Sequence, residues 1–208
     1  MSNEQSGRMD ADARRAQIVR VAAEHFGRDG VAAASMSAIA REAGVTRALV
    51  YHYFAGKEPL LAAVLEAEAQ RLLVATAPLP ELSPADNVAR ALDAYLDFYG
   101  SSTGELRAFY AGHSSALDAE EIADGNHAHH LAWLSELSGR EDSPALRLAL
   151  TGWLALVQAV ARGAVGHDAP RRGELIALCL AALEGLLGTP LSPTTPAPHG
   201  AFVPQEQA

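Results

Sequence analysis

The segment 35–54 constrains the fold most, because it predicts two short helices joined by a tight turn. Two helices that cross at a steep angle need a small residue where they touch, and Ala40 supplies it. The turn needs a residue that accepts positive φ, and Gly44 does so four positions later. Thr46 is placed to cap the second helix through its hydroxyl. Three apolar side chains are expected to close the small core beneath: Ile39, Val45 and Val50.

Helical spacing of apolar residues continues on both sides of this segment, without an alternating strand pattern. Upstream, it predicts a helix over 13–29 that Gly30 ends. Downstream, a helix is predicted from Lys57 toward Leu73, followed by helices near 84–100, 104–114, 118–138, 144–166 and 170–188. We therefore predict an all-α fold, with an N-terminal three-helix helix-turn-helix domain and a larger C-terminal helical bundle.

The two ends differ from the rest in composition. Residues 1–12 are polar, mixed in charge and without apolar periodicity, so we expect a disordered arm. Residues 189–208 are rich in proline, which cannot propagate a helix, so we expect a disordered tail. The remaining chain is expected to divide into a first domain over 13–58 and a second over 59–188.

Charge is distributed unevenly, although the whole chain carries −9. Residues 13–60 hold seven basic and four acidic side chains, a net +3, whereas residues 61–208 carry −10. Fields of exposed charges decay over about 8–10 Å at physiological salt. An acidic second domain is therefore compatible with a basic first domain that binds phosphates.

Cysteine usage and hydropathy exclude some classes of protein. The single cysteine, Cys179, excludes an internal disulfide and lies in an apolar run, where we expect a buried structural thiol. The N-terminus lacks a signal-peptide pattern, and no uncharged apolar stretch reaches membrane-spanning length. We expect a cytoplasmic protein with no membrane association.

The second short helix presents a polar outer face once its apolar residues turn inward. Arg47, Ala48, Tyr51 and His52 have the spacing to share this face. A helix held this way enters the DNA major groove with its N-terminal residues nearest the base edges. Arg47 can donate two hydrogen bonds to a guanine, and three hydroxyls can donate to phosphates: those of Thr46, Tyr51 and Tyr53. Lys57, the only lysine, lies in the next helix's first turn, where its ammonium and free amides can hold a phosphate.

Residues 14–65 resemble the DNA-binding signature of the TetR family. The resemblance is carried by Ile39-Ala40 through Gly44-Val45-Thr46, Val50-Tyr51-His52-Tyr53-Phe54, Lys57-Glu58 and Leu60-Leu61. It implies a homodimer on palindromic DNA that most often represses transcription until a ligand binds the C-terminal domain. The positions matching the family's usual DNA contacts are Ser37, Thr46, Arg47, Ala48, Tyr51, His52, Tyr53 and Lys57. Leu49 departs from the small hydroxyl residue frequent in the family, so it either meets a thymine methyl or packs inward.

The last two long helices, about 144–188, are apolar on nearly every side and therefore must be covered on every side. A partner subunit is the natural cover, and the resemblance implies dimerisation through these helices. A fully intramolecular core is the alternative.

Aromatic residues predict a pocket for a small hydrophobic or aromatic ligand. Five of the twelve aromatic residues lie within residues 95–110. The predicted lining residues are Tyr95, Phe98, Tyr99, Phe109, Tyr110, His113, Trp133, Trp153 and Gln158. Plain core packing also explains aromatics at helical spacing.

Two motifs resemble enzyme or metal sites, and we discount both. One is a cluster of metal-ligand types: Glu120, Glu121, Asp124, His127, His129 and His130. His129 points away from the helix face that His127 and His130 share, so convergent zinc ligation is not expected. The other, Gly112 to Ala116, lacks the strand that a nucleophile elbow requires. We expect no enzyme, metal or cofactor; the rival hypotheses are a ligand-independent DNA-binding protein and a small helical enzyme or metal-binding protein.

Overall fold

The structure, a computed structural model, describes residues 2–101, 119–164 and 169–191, with side chains described from residue 11 to 101, 125 to 164 and 169 to 191. The regular elements in these ranges are helices: α1 (Ser2–Asp29), α2 (Met36–Glu42), α3 (Arg47–Tyr53), α4 (Lys57–Thr76), α5 (Pro84–Ser101), α6 (Ala119–Ser138), α7 (Pro144–Gly163) and α8 (Arg172–Leu187). The all-α fold class is thereby confirmed. The helix predicted over 104–114 lies outside the described residues.

Helix α1 begins at Ser2, so the prediction of a disordered arm over residues 1–12 is wrong for this part of the chain. Apolar periodicity predicts a helix from sequence, and the first twelve residues have none. Once the turns after Ala13 have formed, each residue added upstream gains a hydrogen bond without a new nucleation cost. Gly7 is the only strong helix breaker in this stretch, which otherwise permits the extension.

Local signals for the short helices are confirmed by the backbone. Gly30 and Gly44 adopt φ values of 78° and 65°, the left-handed conformation in which glycine avoids the Cβ penalty. Ser35 caps α2 by accepting from the Ala38 amide, and Thr46 caps α3 by accepting from the Leu49 amide at 3.2 Å. The turn between α2 and α3 is closed by a hydrogen bond from the Val45 amide to the Ala40 carbonyl.

A first hydrophobic core joins the N-terminal helices, here called the head (α1–α3), to α4 and beyond. Ile18, Ile39 and Val50 are fully buried in it. The same cluster continues into the later helices, here called the body (α5–α8), through Leu96, Tyr99, Ala161 and Leu175. The core therefore runs across the predicted domain boundary at residues 58–59, and α4 belongs to both sides of it.

A second core lies within the body, where α5, α6, α7 and α8 meet. Cys179 is buried there, and burial raises the pKa of its thiol, as the sequence predicted for a structural cysteine. The Trp153 indole N–H donates to the Cys179 carbonyl at 2.8 Å. The chain after α8 first packs back onto this core: Leu191 is buried, and its amide donates to Glu184 Oε1. The predicted disordered tail thus begins after Leu191 at the earliest, and its residues 192–208 lie outside the described residues.

Candidate DNA interface and effector region

Helix α3 exposes the face that the sequence predicted. Val50 is its only buried residue, while Arg47, Ala48, Tyr51 and His52 are exposed. The Arg47 guanidinium lies 5.3 Å from the centre of the Tyr51 ring, a cation–π contact between residues one helical turn apart. This contact holds the guanidinium along the outer face of α3. The face therefore presents a fixed cation beside aromatic and imidazole groups.

The exposed residues around α3 extend this surface. Thr46 is exposed, and because its Oγ1 accepts from the Leu49 amide, its hydroxyl proton remains available for an outside acceptor. Ser37 is exposed in the first turn of α2, while the capping role falls to Ser35. Leu49 is half-buried, so its side chain is partly packed inward and partly available to a thymine methyl, the two alternatives that the sequence left open.

Tyr53 and Lys57 have partners within the protein. Tyr53 is half-buried, and its hydroxyl donates to the Ala11 carbonyl of α1 at 3.4 Å. Lys57 Nζ donates to the carbonyls of Val31, at 3.2 Å, and Ala32, at 2.7 Å. The ammonium group thus donates two of its three N–H groups to backbone carbonyls in the connection between α1 and α2. Sequence spacing cannot show these bonds, because the partners lie 25 to 42 residues away.

A buried histidine that the sequence analysis missed connects α1 to α2. His25 is 4% exposed, and its Nε2 lies 2.7 Å from Glu42 Oε2. Its Nδ1 lies 3.0 Å from Arg28 Nη2. Its position beside Phe26 on the apolar face of α1 was the signal that could have revealed a buried, partnered histidine.

The predicted ligand-lining residues are divided between the two cores. Phe98 and Tyr99 pack in the first core, Trp133 and Trp153 in the second, and Tyr95 touches both. Burial raises the pKa of the Tyr95 phenol, and the Tyr95 and Tyr99 rings lie 6.3 Å apart. Gln158 is half-buried on α7. The predicted liners Phe109, Tyr110 and His113 lie outside the described residues.

The two tryptophans of the body differ in their hydrogen bonding. Trp153 is 4% exposed and bonded to the Cys179 carbonyl, so it is a core residue. The indole nitrogen of Trp133 is buried and has no acceptor among the described residues. Of the two, only Trp133 offers a buried donor that a bound molecule can meet.

A cleft of about 260 Å³ opens where the end of α5 faces the start of α8. It is lined by Leu96, Asp97, Gly100, Ser101, Ala164, Pro170, Arg172 and Leu175. Arg172 spans it, bonding to Asp93 Oδ1 at 2.5 Å and Asp97 Oδ1 at 3.2 Å. None of the predicted liners that the structure describes borders this cleft, because aromatic side chains pack into cores while charged ones remain at its rim.

Helices α7 and α8 carry exposed apolar and small residues on one side each. Leu148 is 74% exposed, Leu178 54% and Leu186 49%. Between these leucines lie exposed small residues at helical spacing: Gly152, Ala155 and Ala159 on α7, and Ala177, Ala181 and Gly185 on α8. We call this set the apolar face. By length and composition alone α7 is apolar enough to cross a membrane, but its opposite row, with Trp153 and Val157, packs in the second core.

The histidine cluster on α6 does not converge. The Thr76 hydroxyl lies 3.0 Å from Nε2 of His130, whose Nδ1 lies 2.8 Å from the Asn126 carbonyl, while His129 is exposed. The side chains of residues 119–124 and the segment from Gly112 to Ala116 lie outside the described residues. Within the described parts of the chain, no three histidine, cysteine or acidic side chains are placed to hold a metal ion.

Comparison with known proteins identifies the head. Residues 18–64 match the family described as bacterial regulatory proteins, tetR family. An HTH-type transcriptional repressor of Streptomyces coelicolor is 31% identical over 101 residues, which are 49% of this chain and 50% of that protein. The chain thus aligns with about half the length of this curated relative.

Solved structures share the fold over most of the chain. A tetR-family transcriptional regulator from Streptomyces coelicolor superposes with a TM-score of 0.73 at 23% identity, covering 84% of this chain and 80% of that one. The regulator FadR from Bacillus subtilis, in complex with stearoyl-CoA, gives 0.54 at 19% identity, covering 82% and 96%. Residues 18–64 match the family model, and the chain as a whole shares the fold of these solved regulators.

Proposed function

We propose that this protein is a transcriptional repressor that binds a palindromic operator as a homodimer and leaves it when a small, largely apolar molecule binds the body. The observation that carries the proposal is the exposure of α3. Val50 is buried and Leu49 and Tyr53 are half-buried, while the other four residues of the helix are exposed. The helix lies within the segment that matches the regulator family. DNA-binding regulation in bacteria takes place in the cytoplasm, which is the expected location.

Arg47 reads bases in this proposal, and its neighbours bind the backbone. The guanidinium stacked beside Tyr51 can reach a guanine edge with two donors. Thr46, Tyr51 and His52 offer donors to phosphates from the same exposed surface. Tyr53 and Lys57 act from positions anchored to α1 and its connection to α2, so Lys57 has one proton left for a phosphate.

The apolar face supports a homodimer through α7 and α8. Three large leucine side chains remain 49–74% exposed in one chain, and small residues on the same face permit a close approach of helices. Covering them with the same face of a second copy removes apolar surface from water at about 25 cal/mol per Å². A twofold-symmetric pair then presents two α3 helices to half-sites about 34–36 Å apart.

The continuity of the first core supports coupling between ligand and DNA. Leu96, Tyr99, Ala161 and Leu175 of the body pack in one cluster with residues of α1 and α4. A molecule that displaces the body's aromatic residues therefore shifts the contacts that support the head. The switch requires the ligand to bind the released conformer more tightly than the DNA-binding one. The proposal of a long apolar ligand is supported by a structural neighbour, FadR from Bacillus subtilis, whose structure is a complex with stearoyl-CoA.

Selection of bound duplexes from a random pool tests the proposal. We expect full-length protein to enrich an inverted repeat, because a symmetric pair of α3 helices reads the same half-site twice. Stearoyl-CoA and a flat aromatic such as naphthalene-2-carboxylate are then titrated against that duplex. Enrichment of no common sequence would overturn the DNA-binding function. An operator affinity that no bound apolar compound changes would favour the ligand-independent alternative.

A further inference from the structure

We infer that His25 is a positioning residue for DNA recognition: its hydrogen bond to Glu42 sets the angle at which α2, and with it α3, stands on α1. The inference rests on the proposed DNA-binding function. His25 is 5% exposed at its side chain and touches no DNA-facing surface itself. It acts through Glu42, the last residue of α2.

The hydrogen bonds around His25 assign its proton. A guanidinium only donates, so the Arg28 Nη2 contact at 3.0 Å makes Nδ1 an acceptor. The ring proton therefore resides on Nε2 and is donated to Glu42 Oε2 at 2.7 Å. Arg28 is itself held by Asp29, with both oxygens at 3.1 Å from its nitrogens. Donation runs from Arg28 to His25 and from His25 to Glu42, while Asp29 Oδ2, at 3.5 Å from His25 Nδ1, is a second carboxylate oxygen beside the ring.

The burial of the partners separates positioning from stability. The Glu42 side chain is 46% exposed and the Arg28 side chain 57%, so water can satisfy both if the imidazole is removed. A leucine of similar size would leave no buried polar group unpaired, and such replacements are close to neutral in stability. His25 adds a short directional bond between two helices whose apolar side chains share the first core, and apolar contacts are not directional.

The His25–Glu42 hydrogen bond lies at the end of α2, so a small rotation of α2 there also moves α3. Glu42 is followed at once by the Gly44 turn, which is braced by the Val45 amide to the Ala40 carbonyl at 2.9 Å. Thr46 then caps α3. On the opposite side, Lys57 holds the connection that enters α2. The α2–α3 pair is thus held at its entry by α4 and at its turn by α1.

The test compares His25→Leu with wild type in the full chain, on the selected inverted repeat and on a random-sequence duplex of equal length. We expect an unchanged or higher Tm, about tenfold weaker operator binding and unchanged random-duplex binding, because the less firmly positioned α2–α3 pair must then be ordered when it binds the operator. Glu42→Gln keeps an acceptor oxygen and should bind like wild type, while Glu42→Ala should bind like His25→Leu. The double variant His25→Leu/Glu42→Ala should be no weaker than either single one.

Glu24→Ala is the matched control, because Glu24 is an exposed carboxylate on α1 that forms an ion pair with Arg20 and no hydrogen bond to His25 or Glu42 among the described residues. Undiminished operator discrimination in His25→Leu, with wild type still selecting its repeat, would overturn the inference and leave the proposed function standing. If His25→Leu does not fold, Glu42→Ala against Glu42→Gln decides: equal operator binding overturns it. A wild type that selects no sequence overturns both.

Discussion

The head and the body expose opposite chemistry. The outer face of α3 presents a guanidinium, a phenol and an imidazole, whereas the apolar face of α7 and α8 presents leucine, alanine and glycine. Donors and cations lose little by staying in water until a phosphate replaces it, but exposed leucines at helical spacing are costly until another surface covers them. The difference teaches that the two faces suit different partners, which in the function proposed above are DNA for the first and a second copy of the chain for the second.

The head and the body also differ in the hydrogen-bond partners of a histidine, the buried His25 in the head and the half-buried His130 in the body. His25 in the head is bonded to the ionisable groups of Glu42 and Arg28. His130 in the body meets a hydroxyl and a backbone carbonyl. Burial lowers the pKa of His130, with nearby His129 and His127 adding to the effect and the Asn126 carbonyl opposing it. The head therefore places charged groups around its histidine, whereas burial in the body disfavours the charged form of His130.

Leu178→Glu should produce the largest change, because it places a carboxylate in the centre of the apolar face. Two symmetry-related copies would each have an unpaired charge at the interface, and an uncompensated buried charge costs about 3–5 kcal/mol. We expect a monomer by light scattering and at least about a hundredfold loss of operator affinity. Val74→Glu is the control, since Val74 is 67% exposed on α4, outside that face. A dimeric Leu178→Glu protein would place the interface elsewhere.

Arg47→Ala should have an intermediate effect confined to the polar face. One bidentate base contact is worth about 1–3 kcal/mol of discrimination, so the preferred base at one symmetric position of each half-site should relax. Repeating the pool selection with the variant measures this. Arg71→Ala is the matched control, because Arg71 is exposed on α4 and paired with Glu68. An unaltered base preference in Arg47→Ala would assign base reading to another residue.

His130 should give the smallest effect, a pH dependence of stability without a loss of DNA binding. The folded state binds a proton on His130 less readily than the unfolded chain, whose histidines titrate near pH 6.5. The unfolded state therefore takes up more protons as pH falls below about 6.5, and folding stability decreases in that range. Melting curves of wild type and His130→Asn between pH 7.5 and 5 should converge toward acid pH. His129→Asn, at an exposed position, should keep the wild-type slope; equal slopes in all three would contradict the prediction.

Predictions from the sequence succeeded where interactions are local. The cap by Thr46 forms within three residues, because its hydroxyl accepts from the Leu49 amide. The ligand region was less predictable, because aromatic spacing is the same for a core residue such as Trp153 and for a residue that leaves a donor free, such as Trp133.

The sequence by itself determined the helical periods, the left-handed glycines at the head's turns and the face that α3 shows to solvent, because each depends on residues a few positions apart. Only the tertiary structure decided that Lys57 holds the connection before α2, that His25 meets Glu42, and that α7 and α8 keep one row of leucines exposed. These depend on how helices cross, and the partners of Lys57 and His25 are 17 to 26 residues away along the chain. Such distances are closed by burial of apolar surface, which acts without direction and leaves no periodic mark in the sequence.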